Sequence, residues 1–171
     1  MPGIDPNTGQ SLLVNIDTPA TGPEFKTQMD WMRQQFDKLG IQLVVRATTW
    51  PRFQKKIAEG NVQIYFGSGW MADYPDPENF LDILFHTGSD NNQTNYSNIE
   101  VDALLEQARI ESNQTQRFEM YNRIEQMILD DAPWVPLWNS GENYALVKPE
   151  VKGYYLTAMT IPKYRHVYMV N

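Results

Sequence analysis

The sequence predicts an α/β fold, with a βαβαβ parallel sheet followed by additional helices and late strands. Three observations carry that expectation. Strand-length apolar runs alternate with segments of helical period over the first 66 residues, the connections between them are short, and three helical stripes follow between residues 76 and 133. Strand, short loop, helix and strand in this order imply crossover connections, which in one sheet are right-handed.

"SLLVNID", residues 11 to 17, is a strand-length apolar run closed by the turn residues Thr18, Pro19 and Gly22. From Pro23 the period changes, because Phe25, Met29, Met32 and Phe36 recur at spacings of four and three, the mark of one helix face, which Gly40 stops. Ile41, Leu43, Val45 and Ala47 alternate as in a strand, and Val44 between them predicts cover on both faces. Pro51 suits a first helical turn, with Phe53 and Ile57 on one side and Gly60 at the end. "VQIYF", 62 to 66, is the third strand. Ligands of open parallel sheets collect beyond the carboxyl ends of the strands, and Gly67 to Tyr74 lies at such an end.

Asp76 and Pro77 start the next helix, with Phe80, Leu81, Leu84 and Phe85 as its expected buried face. Ser97-x-x-Glu100 has capping-box spacing, and Val101, Leu104, Leu105 and Ala108 follow as an apolar stripe. "QTQRFEMYNRIEQMILDD" carries Phe118, Tyr121, Ile124 and Ile128 at helical spacing and stops before Pro133. "PWVPLW" and "NYALV" read as two more strands, with Pro136 marking an edge or bend. Past Val151 the pattern fades, so the domain expectation is a turn region over 1–10, a folded body over 11–150 and a tail of unassigned packing over 151–171.

Composition narrows the partners. The chain has 171 residues, 42% hydrophobic and 12% aromatic, enough for one domain with a substantial core. Its 14 basic and 21 acidic residues give a formal charge of -7, which argues against nucleic acid and anionic lipid and favours cationic, zwitterionic or sugar-like ligands. The absence of cysteine excludes disulfides and thiolate metal sites. No apolar run approaches the roughly 20 residues of a bilayer-spanning helix. Met1 is followed by "PGIDPNTGQ", which lacks the basic and apolar regions of a signal peptide, so the chain reads as cytosolic or as the interior of a longer secreted protein.

The leading candidate site is Trp70, Asp73 and Tyr74, behind Gly67 and Gly69. In one reading Asp73 caps a turn before the following helix and Trp70 is core. In the other, Asp73 is the counter-ion of a ligand ammonium, aromatic faces beside it add cation-π attraction and exclude water, and the two glycines let backbone approach the ligand. "GSDNNQTNYSNIEV", 88 to 101, invites a calcium-loop reading with Asp90 first, but Asn95 stands at the sixth position and Val101 at the twelfth, where glycine and glutamate are required. The segment reads better as a polar loop. Asn92, Asn95 and Asn113 head glycosylation sequons, which matter only in a eukaryotic secreted protein.

Catalytic constellations are sparse. Gly67-Ser68-Gly69 lacks the glycine a nucleophile elbow needs two residues before the serine, and His86 and His166 form no metal-spaced pair. Asp73, Asp76 and Glu78 offer an acid and base for glycoside hydrolysis, although negative charge at a helix start explains the last two. Trp134 and Trp138, four apart, project to one face of a strand and offer either core or a sugar platform.

"GWMADYPDPENFLDILF", "NYSNIEVDALLEQA" and "RFEMYNRIEQMILDDAPWVPLW" resemble, in that order and spacing, the carboxyl-terminal lobe of the bacterial family 5 solute-binding proteins, the extracytoplasmic peptide receptors of ABC importers. The segment from "LLVNID" to "VQIYF" resembles the βαβαβ part of the same lobe, so the likeness covers about residues 10 to 150. It implies one lobe of a type II periplasmic-binding-protein fold, with no enzymatic activity and no cofactor. It implies that Asp73 grips a peptide's α-amino group and that Trp70 is a pocket wall and Tyr74 its neighbour; the expected mechanism adds backbone groups near Gly67 to Trp70 pairing with the ligand main chain. The implied partners are a peptide or other small solute, the amino-terminal lobe of the same protein and an ABC permease in the membrane, without nucleic acid. The implied location is periplasmic or extracytoplasmic, as a membrane-anchored lipoprotein, and the chain is expected to be a truncated lobe whose signal segment lies outside it. "KYRH", 163 to 166, resembles a tail segment of some members. The rival expectations are a carbohydrate-binding or glycoside-active domain using tryptophan platforms, and a family member tuned to a metal chelate, opine or oligosaccharide.

Overall fold

The computed structural model describes residues 3–6, 8–19, 22–67, 69–137, 146–155 and 164–170. The chain forms two compact units, Met1–Gly69 and Trp70–Asn171.

In the first unit, β1 (Leu13–Thr18), α1 (Pro23–Lys38), β2 (Gln42–Ala47), α2 (Trp50–Ala58) and β3 (Ile64–Tyr65) follow the predicted order. The strands lie parallel in the order β2-β1-β3, with Ile16 opposite both Val45 and Ile64. Ile16, Met29, Leu43, Phe53 and Ile57 are buried, in line with both expected helix faces, but the expected alternation along β2 is confined to Leu43: Val45 is half-buried like Val44, and Ala47, at the end of the strand, is exposed. Val44 is only half-buried, because β2 is an outer strand of the three, so cover on both faces is less complete than expected. β3 is shorter than the apolar run, and just before it the Gln63 side-chain Oε1 accepts from the Asn15 N–H of β1 at 2.9 Å.

Asp17, in the middle of this sheet, has no solvent exposure. Its carboxylate accepts from Arg46 Nη2 at 2.5 Å on β2 and from Lys56 Nζ on α2. A buried carboxylate persists only when such partners replace water. The pair of cations therefore fixes α2 against two strands.

The second unit contains α3 (Glu78–Phe85), α4 (Ile99–Ile110), α5 (Gln114–Asp131), and a two-stranded antiparallel sheet of β4 (Val151–Lys152) and β5 (Tyr168–Met169). Its core joins Leu84, Phe85, Val101, Leu105, Ala108, Tyr121, Ile124 and Ile128, with Trp70, Tyr96 and Trp134 packed against it. Among the described residues no helix is long and apolar enough to cross a membrane.

Four expectations are corrected here. Phe80 and Phe118 are exposed, because inward positions on α3 and α5 go to polar groups with partners: Asn79 and Asp82 on α3, Arg117 on α5. Asp82 is held by a two-pronged contact to Arg109, Nε and Nη2 both at 2.7 Å. The cap of α4 is Asn98 instead of Ser97; its Oδ1 accepts from the N–H groups of Glu100 and Val101, whereas Ser97 accepts from the Thr87 hydroxyl. Residues 133–137 form no strand. Of the other expected strand, Leu146 and Val147 are not in one and 143–145 lie outside the described residues. β4 and β5 occupy the part of the chain where the sequence pattern fades, and Gly153 is required there: at φ +74°, a Cβ would sit 1.9 Å from the His166 carbonyl oxygen.

Asn98 also donates to Asp131 at the end of α5, at 2.8 Å, so one side chain starts α4 and ties it to its neighbour. Replacing Asn98 by Ala is expected to cost about 1 kcal/mol in chemical denaturation, while Ser97→Ala stays within about 0.5 kcal/mol of the parent.

Candidate functional site

The site is best built from the carboxyl edge of the sheet. The strand order reverses across β1 and β3, which makes the gap beyond their carboxyl ends a topological switch point, the usual ligand position in open parallel sheets. Gly67 occupies that edge at φ +88°, and a Cβ there would lie 3.2 Å from Thr18 Oγ1 and 3.5 Å from Pro19 Cδ. Any side chain at that dihedral would be strained, and the nearby Thr18 hydroxyl would have to give way a little as well. Gly69 has open space where a side chain would be.

Trp70 opens the second unit and lies half-buried on its helical core. Its Nε1–H donates to Asn79 Oδ1 at 3.4 Å, and the backbone N–H of Asp73 donates to the same oxygen at 2.7 Å. Asn79, in the first turn of α3, is completely buried. Asp76 fixes the other end of the loop. Its Oδ1 accepts from the Glu78 N–H at 2.9 Å, and its two oxygens accept from Arg117 Nη2 and Nη1 at 2.8 and 2.7 Å. Arg117 is itself placed by a bond from its Nε to the Ala108 carbonyl at 3.0 Å and by stacking over the Tyr121 ring at 4.9 Å. Its guanidinium holds the Asp76 carboxyl below the ordinary aspartate value, against an opposing push from burial.

These contacts answer the question of what Asp73 does locally. The side chain that caps the start of α3 is Asp76, and Asp73 joins the turn through its backbone. Its carboxylate is exposed, with no hydrogen bond or ion pair among the described residues, and Tyr74 beside it is 38% exposed. The structure thus brings Trp70, Asp73 and Tyr74 into one braced loop. Gly67 and Gly69 belong to the other unit, at the sheet edge.

The remaining candidates fall to structural roles. Asn92 is buried and organises its loop, donating to the His86 and Tyr96 carbonyls and accepting from the Tyr96 N–H. Asn113 caps α5. Among the described residues no cluster of three metal-ligating side chains forms. Trp134 packs edge-on against Phe85 at 5.2 Å as core, and Trp138 and Ser68 lie outside the described residues. Asp76 is committed to Arg117, which removes it from an acid and base pair with Asp73. Sequence reasoning missed Asn79 and Arg117; the only signal for either was a polar residue interrupting an apolar helical stripe.

A parallel βαβαβ sheet followed by a helical unit is the architecture of one lobe of a periplasmic-binding-protein fold. The model of the bacterial extracellular solute-binding proteins, family 5, middle region, matches residues 3–92, more than half of the chain, and the chain belongs to this family. Among similar proteins, the probable D,D-dipeptide-binding periplasmic protein DdpA of Escherichia coli is 31% identical over 130 residues, covering 74% of this chain and 25% of its own length. Heme-binding protein A of Haemophilus influenzae is 29% identical over 137 residues, covering 79% and 25%. Among solved structures, the murein tripeptide binding protein MppA of Escherichia coli superposes with a TM-score of 0.82 at 25% identity, covering 99% of this chain and 32% of that one. OppA of Burkholderia pseudomallei superposes at 0.79 with 28% identity, covering 94% and 31%. The chain therefore spans about a quarter to a third of the proteins it matches.

The low Asp76 pKa gives the brace a pH signature. A carboxylate depressed in the folded state contributes stability that is complete above its unfolded pKa and is lost as pH falls through the folded one. The melting temperature of the parent should exceed that of Asp76→Asn from pH 5 to 7, and the gap should shrink below about pH 4. A gap independent of pH would mean that the ion pair does not form.

Proposed function

We propose that residues 11–150 are the carboxyl-terminal lobe of an extracytoplasmic receptor that binds peptides or peptide-like solutes and delivers them to an ABC permease. The observation that carries this reading is the Asp73 carboxylate, exposed and unpaired among the described residues on a loop whose backbone is fixed on both sides. Several relatives bear peptide-binding names, among them a D,D-dipeptide-binding periplasmic protein and a dipeptide-binding protein of Bacillus subtilis. In this reading the receptor is a periplasmic or lipid-anchored binding protein without enzymatic activity, and its amino-terminal lobe supplies the opposing wall of the cleft.

The mechanism follows from solvent exposure. A carboxylate in water attracts an ammonium weakly, because screening and side-chain entropy offset the Coulomb gain. When two lobes close on a ligand, water leaves and the same pair strengthens, provided the ammonium fills the position in front of Asp73. Trp70 and Tyr74 form walls that exclude water and favour the cation over their ring faces. A ligand without the amine leaves Asp73 buried and unpaired, so the site selects against it.

A second cargo class has a specific observation in its favour, the relative named heme-binding protein A. Haem carries carboxylates and no ammonium, so Asp73 opposes its binding instead of anchoring it.

Isothermal titration of the full-length receptor separates the two. Asp73→Asn is expected to weaken a free-amine tripeptide by at least about tenfold, in line with roughly 1.5–3 kcal/mol for a hydrogen bond to a charged group, and to bind the N-acetylated tripeptide as tightly as the parent or more tightly. Equal affinity of the parent and Asp73→Asn for the free-amine tripeptide, or haem binding by a parent that does not bind the tripeptide, would sink the peptide reading.

A further inference from the structure

We propose that Asn79 is a positioning residue that sets the anchor and the wall of the candidate pocket as a single unit, an inference that rests on the peptide-receptor reading only for its effect on affinity. One oxygen, Asn79 Oδ1, accepts from both the Asp73 backbone N–H and the Trp70 indole N–H. The acceptor is shared, so its position bears on both donors at once. A shift of the Asn79 amide moves the Cα of the acid and the plane of the indole together.

The rest of that side chain explains why the arrangement is specific. Asn79 has no solvent exposure, and among the described residues its Nδ2 is buried without a hydrogen-bond partner, whereas the other inward polar group on α3, Asp82, is paired. An unpartnered buried amide NH2 destabilises the fold, so an apolar residue of similar size would suit this helix better if stability alone were at issue. What the apolar residue cannot supply is the acceptor. Asn79 therefore accepts a stability penalty at a position where its oxygen serves the loop. The side chain is held in turn by the first turn of α3, whose start is tied to α5 through Asp76 and Arg117. Precise placement has a functional effect because an ammonium–carboxylate contact is directional and weakens steeply as the oxygen leaves hydrogen-bond distance.

Two variants separate positioning from ordinary structural support. Asn79→Leu removes the acceptor while keeping the same branching of the side chain, and Asn79→Asp keeps an acceptor oxygen and puts a second oxygen in place of the unpartnered NH2. Both are made in the full-length receptor and compared by residue-resolved amide hydrogen exchange without ligand and by titration with trialanine. Asn79→Leu is expected to speed exchange at the Asp73 amide by about tenfold or more, with protection at Leu105 and Ile124 unchanged, and to raise the trialanine Kd by about tenfold. Asn79→Asp is expected to restore both to within about threefold of the parent.

Exchange at Asp73 that stays at the parent rate in Asn79→Leu, or that rises in step with the core amides, overturns the proposal. So does an unchanged trialanine Kd in Asn79→Leu when Asp73→Asn raises it. If Asp73→Asn itself leaves the Kd unaltered, the receptor reading fails, and the exchange rates alone decide the positioning role.

Discussion

The two-pronged bond between Arg117 and Asp76 is the contact on which the candidate site depends. Arg117 sits on α5, the longest helix, with its own orientation fixed by the Ala108 carbonyl and the Tyr121 ring. A planar guanidinium presents two parallel donors, so it fixes the angle as well as the distance of the carboxylate it holds. Through Asp76 the first turn of α3 is joined to the helical core, and through that turn the exposed acidic loop acquires a rigid base. An exposed loop without such a base would lose entropy each time a ligand ordered it, which lowers affinity.

Charge is handled differently at the two aspartates that the chain buries most deeply. Asp17, inside the parallel sheet, is neutralised by cations from a strand and a helix, and Asp82, inside the helical unit, by a single arginine. Both carboxylates are used up by the fold. Asp73 differs in having its backbone restrained while its charge is left to solvent. That contrast separates a carboxylate available for recognition from those that hold elements together.

Much of the fold could be read from residue order. The strand through Leu43 and Val45, the helical spacing of Tyr121, Ile124 and Ile128, and the glycine stops at 40 and 60 were legible because each depends on local periodicity or a single dihedral. The exposure of Phe80 and Phe118 was not, since it follows from Asn79, Asp82 and Arg117 finding partners as distant in sequence as Asp76 is from Arg117. The cap of α4 went to Asn98 because residues one apart both have cap chemistry, and only the backbone conformation at Asn98 distinguishes them. For the site, the acidic residue and its aromatic neighbours could be picked out by type; the question of which aspartate caps the helix and which is spare required coordinates.

The loop before α4 has a consequence for production of the protein in hosts that attach sugars. Asn92 heads a sequon, yet its amide nitrogen already donates to two carbonyls and its oxygen receives the Tyr96 amide. A glycan joined to that nitrogen during secretion, before the chain has folded, would remove one of those donors and place a bulky hydrophilic group where the side chain is buried. Yeast or insect cells would then yield a mixture in which the occupied fraction misfolds, whereas a bacterial host avoids the modification.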